Sequence, residues 1–174
     1  TGGTGTALLI NSPASLAVAE SLGTKLGIIN GGITISHTAS AGMDSAKLQA
    51  VLDNIITVTG VVSYTHSGDD VTGVDFSKLS SAGTLEYDVE HAISFPELTT
   101  VTGEFLIVDD NEITSFSAPK LTNVGNFDDG DNDDDITLSR ATSIVLSSLS
   151  YYDSALNLEV TGNALSAGWD LDMP

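Results

Sequence analysis

The chain has 174 residues, of which 41% are hydrophobic and 17% charged. This apolar content supports a packed core and argues against wholesale disorder, which requires low hydrophobicity together with high net charge. Five Lys and Arg residues oppose 24 Asp and Glu residues, giving a formal net charge of −19. Such a surface repels nucleic-acid phosphates and anionic membranes. The absence of cysteine excludes disulfides, Cys-ligated metal centres and thiol catalysis, and the apolar runs are too short to cross a bilayer.

The N-terminal segment predicts a leader followed by a helix. Residues 1–6 are rich in glycine and have no initiator Met, which indicates a processed precursor or a piece of a longer polypeptide. Ser12 is a typical helix N-cap, Pro13 a typical first helical residue, and Gly23 a typical stop. We therefore expect a short helix between Ser12 and Gly23.

A second helix is predicted over residues 45–51, with Asp44 as its N-cap. It leads into a repetitive region that fills most of the chain. We divide the chain into a leader and helical cap over residues 1–31, repeats over 32–160, and a C-terminal cap or the start of a continuation over 161–174.

Five stretches share one nine-position template. The template is apolar-x-apolar, Ser or Pro, a charged residue, apolar, two small polar residues, and apolar. The copies start at Ala50, Val74, Ile93, Phe116 and Ile136. Four of them are followed by a glycine, namely Gly60, Gly83, Gly103 and Gly125. The first copy has Asn54 in the charged position.

The template predicts a solenoid. Apolar alternation indicates β-strands, and each unit is too short to bury its own apolar edge, so units must stack and share one core. Between the units lie further strand-like runs, at residues 61–64, 84–87 and 104–108. The predicted fold is mainly β: a parallel β-solenoid of about five or six coils with a short N-terminal capping helix.

Stacking the copies places equivalent side chains in columns. The third position forms an apolar column of Phe76, Phe95, Ala118 and Leu138. The fifth position forms a polar column of Asn54, Lys78, Glu97, Lys120 and Arg140. We interpret the polar column as a solvated ladder worth about 0.2–1 kcal/mol per ion pair. The alternative is a functional cationic patch.

A second column is acidic. Carboxylates gather at one corner of the predicted coil, at Asp69, Asp70, Asp88, Glu90, residues 109–112 and residues 128–135. Ca²⁺ prefers such oxygen ligands, although the spacing does not fit an EF-hand. The candidate ligands are Asp109, Asp110, Asp128, Asp129, Asp131, Asp133 and Asp135. The alternative is an acidic segment that is only solvated.

Catalytic signatures are weak. His37, His66 and His91 share no short spacing, although His66 and His91 fall near corresponding points of neighbouring coils. The sequence has no Gly-x-Ser-x-Gly elbow and no glycine-rich loop between a strand and a helix. We therefore predict that the chain is not an enzyme and has no cofactor other than the Ca²⁺ considered above.

Three consecutive stretches carry a family resemblance: residues 95–107 (FPELTTVTGEFLI), 110–116 (DNEITSF) and 119–125 (PKLTNVG). They resemble the receptor L-domain, a leucine-rich-repeat-like solenoid also found in fungal cell-wall and bacterial surface proteins. The resemblance extends from about residue 32 to residue 158. It implies a non-catalytic extracellular module that binds peptides, glycans or other proteins.

The leading functional hypothesis is an extracellular or surface-exposed binding or adhesion module of a larger protein. Its partners would be a protein or glycan at a surface, or other copies of itself, without nucleic acid or membrane insertion. The alternative is a structural subunit of a filament, sheath or virion surface, in which one copy covers the open solenoid end of the next. A third hypothesis is a calcium-dependent enzyme that acts on polysaccharides.

Overall fold

The structure, a computed structural model, describes residues 7–67, 74–88, 92–108, 115–128, 135–137, 143–152, 157–159 and 170–172. Within these residues the chain forms two α-helices, α1 (Pro13–Leu22) and α2 (Ser45–Leu52). The strands, in chain order, are β1 (Leu8–Ile10), β2 (Ile28–Ile29), β3 (Ile33–Thr38), β4 (Thr57–Ser67), β5 (Ser81–Asp88), β6 (Ile93–Ser94), β7 (Thr100–Val108), β8 (Phe116–Ser117), β9 (Asn123–Asp128), β10 (Asp135–Thr137), β11 (Ser143–Val145), β12 (Tyr151–Tyr152), β13 (Asn157–Glu159) and β14 (Asp170–Asp172).

The described strands pair in parallel. The largest sheet has the order β1-β3-β4-β5-β7-β9-β12, and β2 pairs with the first part of β4. A second sheet has the order β14-β11-β8-β6, and β10 pairs with β13. All of these pairs are parallel. The described part of the chain is therefore mainly β, with a parallel sheet and two helices, in agreement with the predicted fold class.

The burial of side chains follows the template in its three central copies. The first, third, sixth and ninth positions are buried in each copy, at Val74, Phe76, Leu79, Ala82, Ile93, Phe95, Leu98, Val101, Phe116, Ala118, Leu121 and Val124. The fifth position is exposed in all three, at Lys78, Glu97 and Lys120. The ninth positions also pair directly, since Ala82 is the register partner of Val101 and Val101 that of Val124. The predicted division into core and surface positions is confirmed for these copies.

Aromatic rings form a continuous stack through the core. Ring centroids are 5.0 Å apart between Tyr64 and Tyr87, 5.1 Å between Tyr87 and Phe95, 5.6 Å between Phe95 and Phe105, and 5.5 Å between Phe105 and Phe116. The last three contacts are edge-to-face, the geometry that the ring quadrupole favours. The stack therefore connects successive strands of both sheets.

Hydroxyl groups form a ladder at the seventh template position. Thr99 donates both its backbone N–H and its side-chain hydroxyl to the carbonyl of Ser80, each at 2.9 Å. Thr122 does the same to the carbonyl of Thr99, and Ser150 to that of Thr122. Ser80 in turn bonds to the carbonyl of Ile56. A small hydroxyl residue at this position therefore adds one hydrogen bond to each step between strands.

The last template copy is in a different register from the predicted one. Ile144, not Ile136, is the register partner of Phe116, while Ile136 pairs with Leu158. The copy that starts at Ile144 places Leu149 in the sixth position, where the predicted copy has the smaller Ala141. Burial of the larger side chain explains the choice, because the stabilisation grows with the apolar area removed from water.

This register corrects two columns. In the third position Leu146, which is buried, replaces the predicted Leu138. In the fifth position, the copy that starts at Ile144 has Ser148, which is exposed. Residues 138–142, which include Leu138 and Arg140, lie outside the described residues.

Both predicted helices are present. The Ser12 hydroxyl accepts a hydrogen bond from the Ser15 backbone N–H, and α1 ends at Gly23, which has a positive φ of 51°. Asp44 caps α2 by accepting from the Lys47 backbone N–H at 3.1 Å. These bonds satisfy backbone donors that the first turn of a helix leaves without intrahelical partners.

Helix α2 replaces a strand in the first template copy. The predicted strand at Ala50–Leu52 is the last turn of α2, although Leu52, Ile55 and Val58 still fill the third, sixth and ninth core positions. The Gln49 side chain binds the backbone of Asp75 twice: its amide N–H donates to the carbonyl at 2.9 Å, and its oxygen accepts from the N–H at 3.0 Å. The Gln49 side chain thus makes the pair of hydrogen bonds that the backbone of a neighbouring strand would make to Asp75, and α2 covers the backbone at this position.

The strand-like runs predicted after each glycine are not separate strands. Residues 61–64, 84–87 and 104–108 are the second halves of β4, β5 and β7, which cross Gly60, Gly83 and Gly103 without ending. The register between neighbouring strands shifts at these glycines. The shifts change the spacing of the side chains on the exposed side of the large sheet, which we call its outer face.

Candidate functional site

The bulges at the glycines alternate in length between neighbouring strands. In β4, Thr59 and Gly60 lie between two paired residues that are separated only by Gly83 in β5. In β7, Thr102 and Gly103 likewise lie opposite Gly125 alone in β9. An extra residue in one strand of a pair is a β-bulge, which locally re-aims side chains. The extra residues are Thr59 and Thr102, and both are exposed.

Backbone contact explains why glycine occupies the bulges. A Cβ atom on Gly83 would lie 2.5 Å from the carbonyl oxygen of Thr59 and 2.7 Å from that of Gly60. A Cβ atom on Gly125 would lie 2.7 Å from the carbonyl oxygen of Gly103. Real Cβ atoms do not approach backbone this closely, so only glycine fits. Gly83 and Gly125, which lie opposite the bulges, therefore have no side chain to fill the space beside Thr59 and Thr102.

Two depressions result, and together we call them the trough. The first has a volume of about 260 Å³ and is lined by Thr57, Val58, Thr59, Ser81, Ala82, Gly83 and Thr102. The second has a volume of about 290 Å³ and is lined by Thr100, Val101, Thr102, Asn123, Val124 and Gly125. Thr102 borders both depressions. The trough therefore runs across β4, β5, β7 and β9 rather than along any one strand.

The chemistry of the trough is neutral. Its described lining residues offer hydroxyl groups and the Asn123 amide, and none of them is charged. The chain as a whole carries a formal net charge of −19. The trough is thus a surface of uncharged hydrogen-bonding groups on a strongly acidic protein.

Two of the three histidines lie together in the core. His37 and His66 are register partners on β3 and β4, and their ring centroids are 5.5 Å apart. Both are buried, with 0% and 5% of their surface exposed. His91, the predicted neighbour of His66, lies outside the described residues.

A hydrogen-bond network holds His37 inside the core. The Tyr64 hydroxyl is 3.3 Å from Nδ1 of His37, and the Ser45 hydroxyl is 3.2 Å from Nε2. Burial raises the pKa of Tyr64 far above its usual range, while a hydrogen bond from the Val74 backbone opposes this shift. The hydroxyl groups of Tyr64 and Ser45 therefore contact the two ring nitrogens of His37, and the ring is 0% exposed.

Most of the predicted metal ligands lie outside the described residues. This applies to Asp109, Asp110, Asp129, Asp131 and Asp133, whereas Asp128 ends β9 and Asp135 begins β10. The register pairs Asp88 with Val108 and Leu106 with Asp128, so β5, β7 and β9 end at one edge of the sheet. Within the described residues, no group of three or more His, Asp or Glu side chains can hold a metal ion. The calcium site stays a prediction.

One ion pair of the predicted polar column is present. Nζ of Lys120 lies 2.7 Å from both carboxylate oxygens of Glu97. The two side chains are 53% and 49% exposed, respectively. This exposure fits the interpretation of the column as a solvated ladder, because surface pairs contribute little free energy.

The trough was missed at the level of sequence, although a signal for it is present. Val58 and Val101 are followed by Thr-Gly, whereas Ala82 and Val124 are followed directly by Gly. Counting the residues between the ninth template position and the glycine would have predicted alternating bulges.

Comparison with known proteins gives no relative from which a function can be inferred, so the inference of function rests on the fold and its geometry. No protein-family model, curated protein or solved structure matches this chain. None of the helices in the described residues is both long and apolar enough to cross a membrane.

Proposed function

We propose that this chain is a non-catalytic binding module whose two parallel sheets wind as one β-solenoid of the L-domain type. The observation that carries the proposal is the path of the central copies. Each copy places its third-position side chain in the core, turns at its fourth and fifth positions, and continues through a buried sixth-position leucine into the large sheet, as at Phe95, Leu98 and Val101. Successive copies repeat this path beside one another, which is how a solenoid is built.

Binding, rather than catalysis, suits the surface of the described residues. The trough is neutral and extends over four strands. Such a surface can hold a long ligand, and its described lining has no charged group to act on one. Ser45 contacts His37, but the His37 ring is buried at 0% exposure and is therefore out of reach of a substrate. The strongly acidic composition fits an extracellular or surface-exposed location, where high net charge favours solubility.

A structural subunit is the second candidate, and the free side of β1 favours it. Within the described residues β1 pairs on one side only, with β3. Leu9 in β1 is 50% exposed, and Val18 on the following helix is 59% exposed. An open strand edge with apolar side chains is suited to pairing with another chain. Sedimentation over a wide concentration range distinguishes the two: a subunit assembles, whereas a binding module remains monomeric.

The test of the leading proposal combines binding and turnover. The full chain is applied to arrays of glycans and extracellular matrix proteins, and the bound ligands are then incubated with it in solution. We expect binding to at least one class and no release of reducing or unsaturated sugar ends. Absence of any binding, or release of products, overturns the proposal.

Calcium is the cofactor we propose for the acidic segments that follow β7 and β9 in sequence. A ligand that binds only the folded state raises stability in proportion to RT ln(1 + [L]/Kd). We expect the midpoint of thermal unfolding to rise with millimolar CaCl₂ and to return after chelation. An unchanged midpoint, with the same result in MgCl₂, removes the proposal of a cation and leaves solvation of the carboxylates.

A further inference from the structure

We propose that the trough binds a neutral, linear polysaccharide that lies across the strands, with equivalent sugar units of its repeat in successive depressions. This inference rests on the proposed function as a binding module and names the ligand class for one face of it. It is carried by the alternating bulges, the uncharged lining and the direction of the trough.

The direction of the trough selects an extended polymer. Its two depressions follow each other across β4, β5, β7 and β9, and they share Thr102 as a common border. Because the bulges alternate, equivalent features recur every second strand, or about 10 Å. A stiff chain of identical units presents its hydroxyl groups at regular intervals along a straight line. It can therefore make the same contacts in each depression.

A peptide strand does not suit the trough. Peptides that add to a sheet need an unpaired edge for their backbone hydrogen bonds. Each of β4, β5, β7 and β9 is paired on both sides. The trough offers side-chain hydroxyl and amide groups instead, for example at Thr57, Ser81 and Asn123. These groups match a ligand whose own surface consists of hydroxyl groups.

Charge selects a neutral polymer. An anionic polysaccharide meets the repulsion of a chain with a net charge of −19, although salt screens it in part. A cationic polymer is attracted to Asp and Glu side chains wherever they lie, and the described lining of the trough has none. A neutral polymer avoids the repulsion and gains the hydrogen bonds.

The contacts also predict the dependence on ligand length. No aromatic side chain is among the described lining residues, so the sugars have no ring on which to stack. Each depression then supplies only a few neutral hydrogen bonds, which corresponds to a Kd of about 1 mM. A ligand long enough to occupy both depressions gains a second set of contacts. Affinity should therefore rise from dimers to tetramers and hexamers of the sugar.

The experiment compares a variant of the trough with a matched variant elsewhere. Thr102→Gln places a longer side chain over both depressions, while Thr24→Gln makes the same change at an exposed turn outside the trough. Both variants and the original chain are tested for retention on insoluble cellulose, chitin and mannan, and by calorimetry with soluble oligosaccharides of increasing length. Alginate and chitosan serve as the anionic and cationic polymers. Asn123→Ala, which removes the amide without adding bulk, is the second variant.

We expect the original chain and Thr24→Gln to bind at least one neutral polymer equally. Thr102→Gln should weaken this binding by about tenfold or more, and Asn123→Ala by a smaller factor. Retention that is equal for Thr102→Gln and Thr24→Gln, or binding to alginate or chitosan alone, overturns the inference but leaves the proposed binding module in place. If neither the polysaccharides nor the arrays yield a ligand, both proposals fail.

Discussion

The core and the outer face of these strands repeat with the same period, but they use the repeat in different ways. In the core, large rings from successive copies touch one another, such as Tyr87, Phe95 and Phe105. On the outer face, equivalent positions carry Thr, Ser, Asn or Gly, and the backbone itself varies by one residue at the bulges. The core thus fixes how the strands stack, while the face can change without loss of the stack.

The largest effect should come from the core. Phe95→Ala removes a ring that contacts both Tyr87 and Phe105, and we expect it to lower the free energy of unfolding by about 3–5 kcal/mol. Urea unfolding followed by circular dichroism measures the change. Thr102→Ala, on the outer face of the large sheet, is the control and should cost less than about 1 kcal/mol. Comparable losses in the two variants would break the distinction between core and face.

The bulge glycines are the exception on the outer face, because their constraint comes from backbone. Gly83→Ala brings a Cβ atom to 2.5 Å from the Thr59 carbonyl oxygen, so we expect a loss of about 1–3 kcal/mol. Gly27→Ala is the matched control, since its Cβ atom would meet the carbonyl oxygen of Asn54 at an ordinary 3.7 Å. Thermal unfolding of the two variants separates crowding from the general effect of replacing glycine. Equal stability of the two would contradict the close approach.

Helix α2 forms a cap at the end of the stacked copies, where Gln49 binds the backbone of Asp75. Gln49→Ala leaves the N–H and carbonyl of Asp75 without their side-chain partners, and we expect a loss of about 1–2 kcal/mol. Hydrogen exchange should show faster exchange at the Asp75 amide than in the original chain. Lys47→Ala, an exposed change on the same helix, should leave both the stability and the exchange unaffected.

Several of these features were predictable from sequence, and physical reasons explain why others were not. The template identified Phe76, Leu98 and Val124 as core because alternation in the sequence translates directly into burial. The register of the last copy failed because Ile136 and Ile144 both start acceptable matches, and only the volume available at the sixth position separates them. Local sequence does not measure that volume.

Contacts between distant residues were also beyond a local pattern. Gln49 and Asp75 are 26 residues apart, and although the helix that carries Gln49 was predicted, its double hydrogen bond to Asp75 depends on how that helix packs. The pairing of His37 with His66 needed the register of β3 on β4, and the template does not specify it because β3 precedes the first copy. The trough differs from these, because its alternating bulges can be counted in the sequence.

A smaller effect on stability is expected from two aspartates at the boundary between core and face, because their pKa values shift in opposite directions. Burial raises the pKa of Asp75, whereas the hydrogen bond from the Ser77 hydroxyl, 2.6 Å away, is the main cause that lowers the pKa of Asp53. Ionised Asp75 therefore disfavours the folded state as the pH rises through its folded pKa. The contribution of Asp53 is present above its unfolded pKa of about 3.9 and is lost as the pH falls through the folded value.

Asp75→Asn should accordingly stabilise the chain at pH 7 and Asp53→Asn should destabilise it. Each change should be below about 1 kcal/mol, because solvent screens partly exposed groups. Urea midpoints measured between pH 7 and about 3 test both signs, and the two differences should shrink as the carboxyl groups become protonated. A change of the same sign in both variants at pH 7 would contradict the assignment.

The ion pair in the exposed turns that precede β7 and β9 should have the smallest effect. Lys120 and Glu97 are each about half exposed, so holding the two side chains together gains little beyond what water already provides. A double-mutant cycle with Lys120→Gln and Glu97→Gln should give a coupling energy of about 0.2–1 kcal/mol, which about 1 M salt should abolish. A coupling energy above that range would mean that the Lys120–Glu97 pair also helps to fix the stacking of the strands. The salt dependence then decides the matter, because a contribution from packing survives screening and a contribution from charge does not.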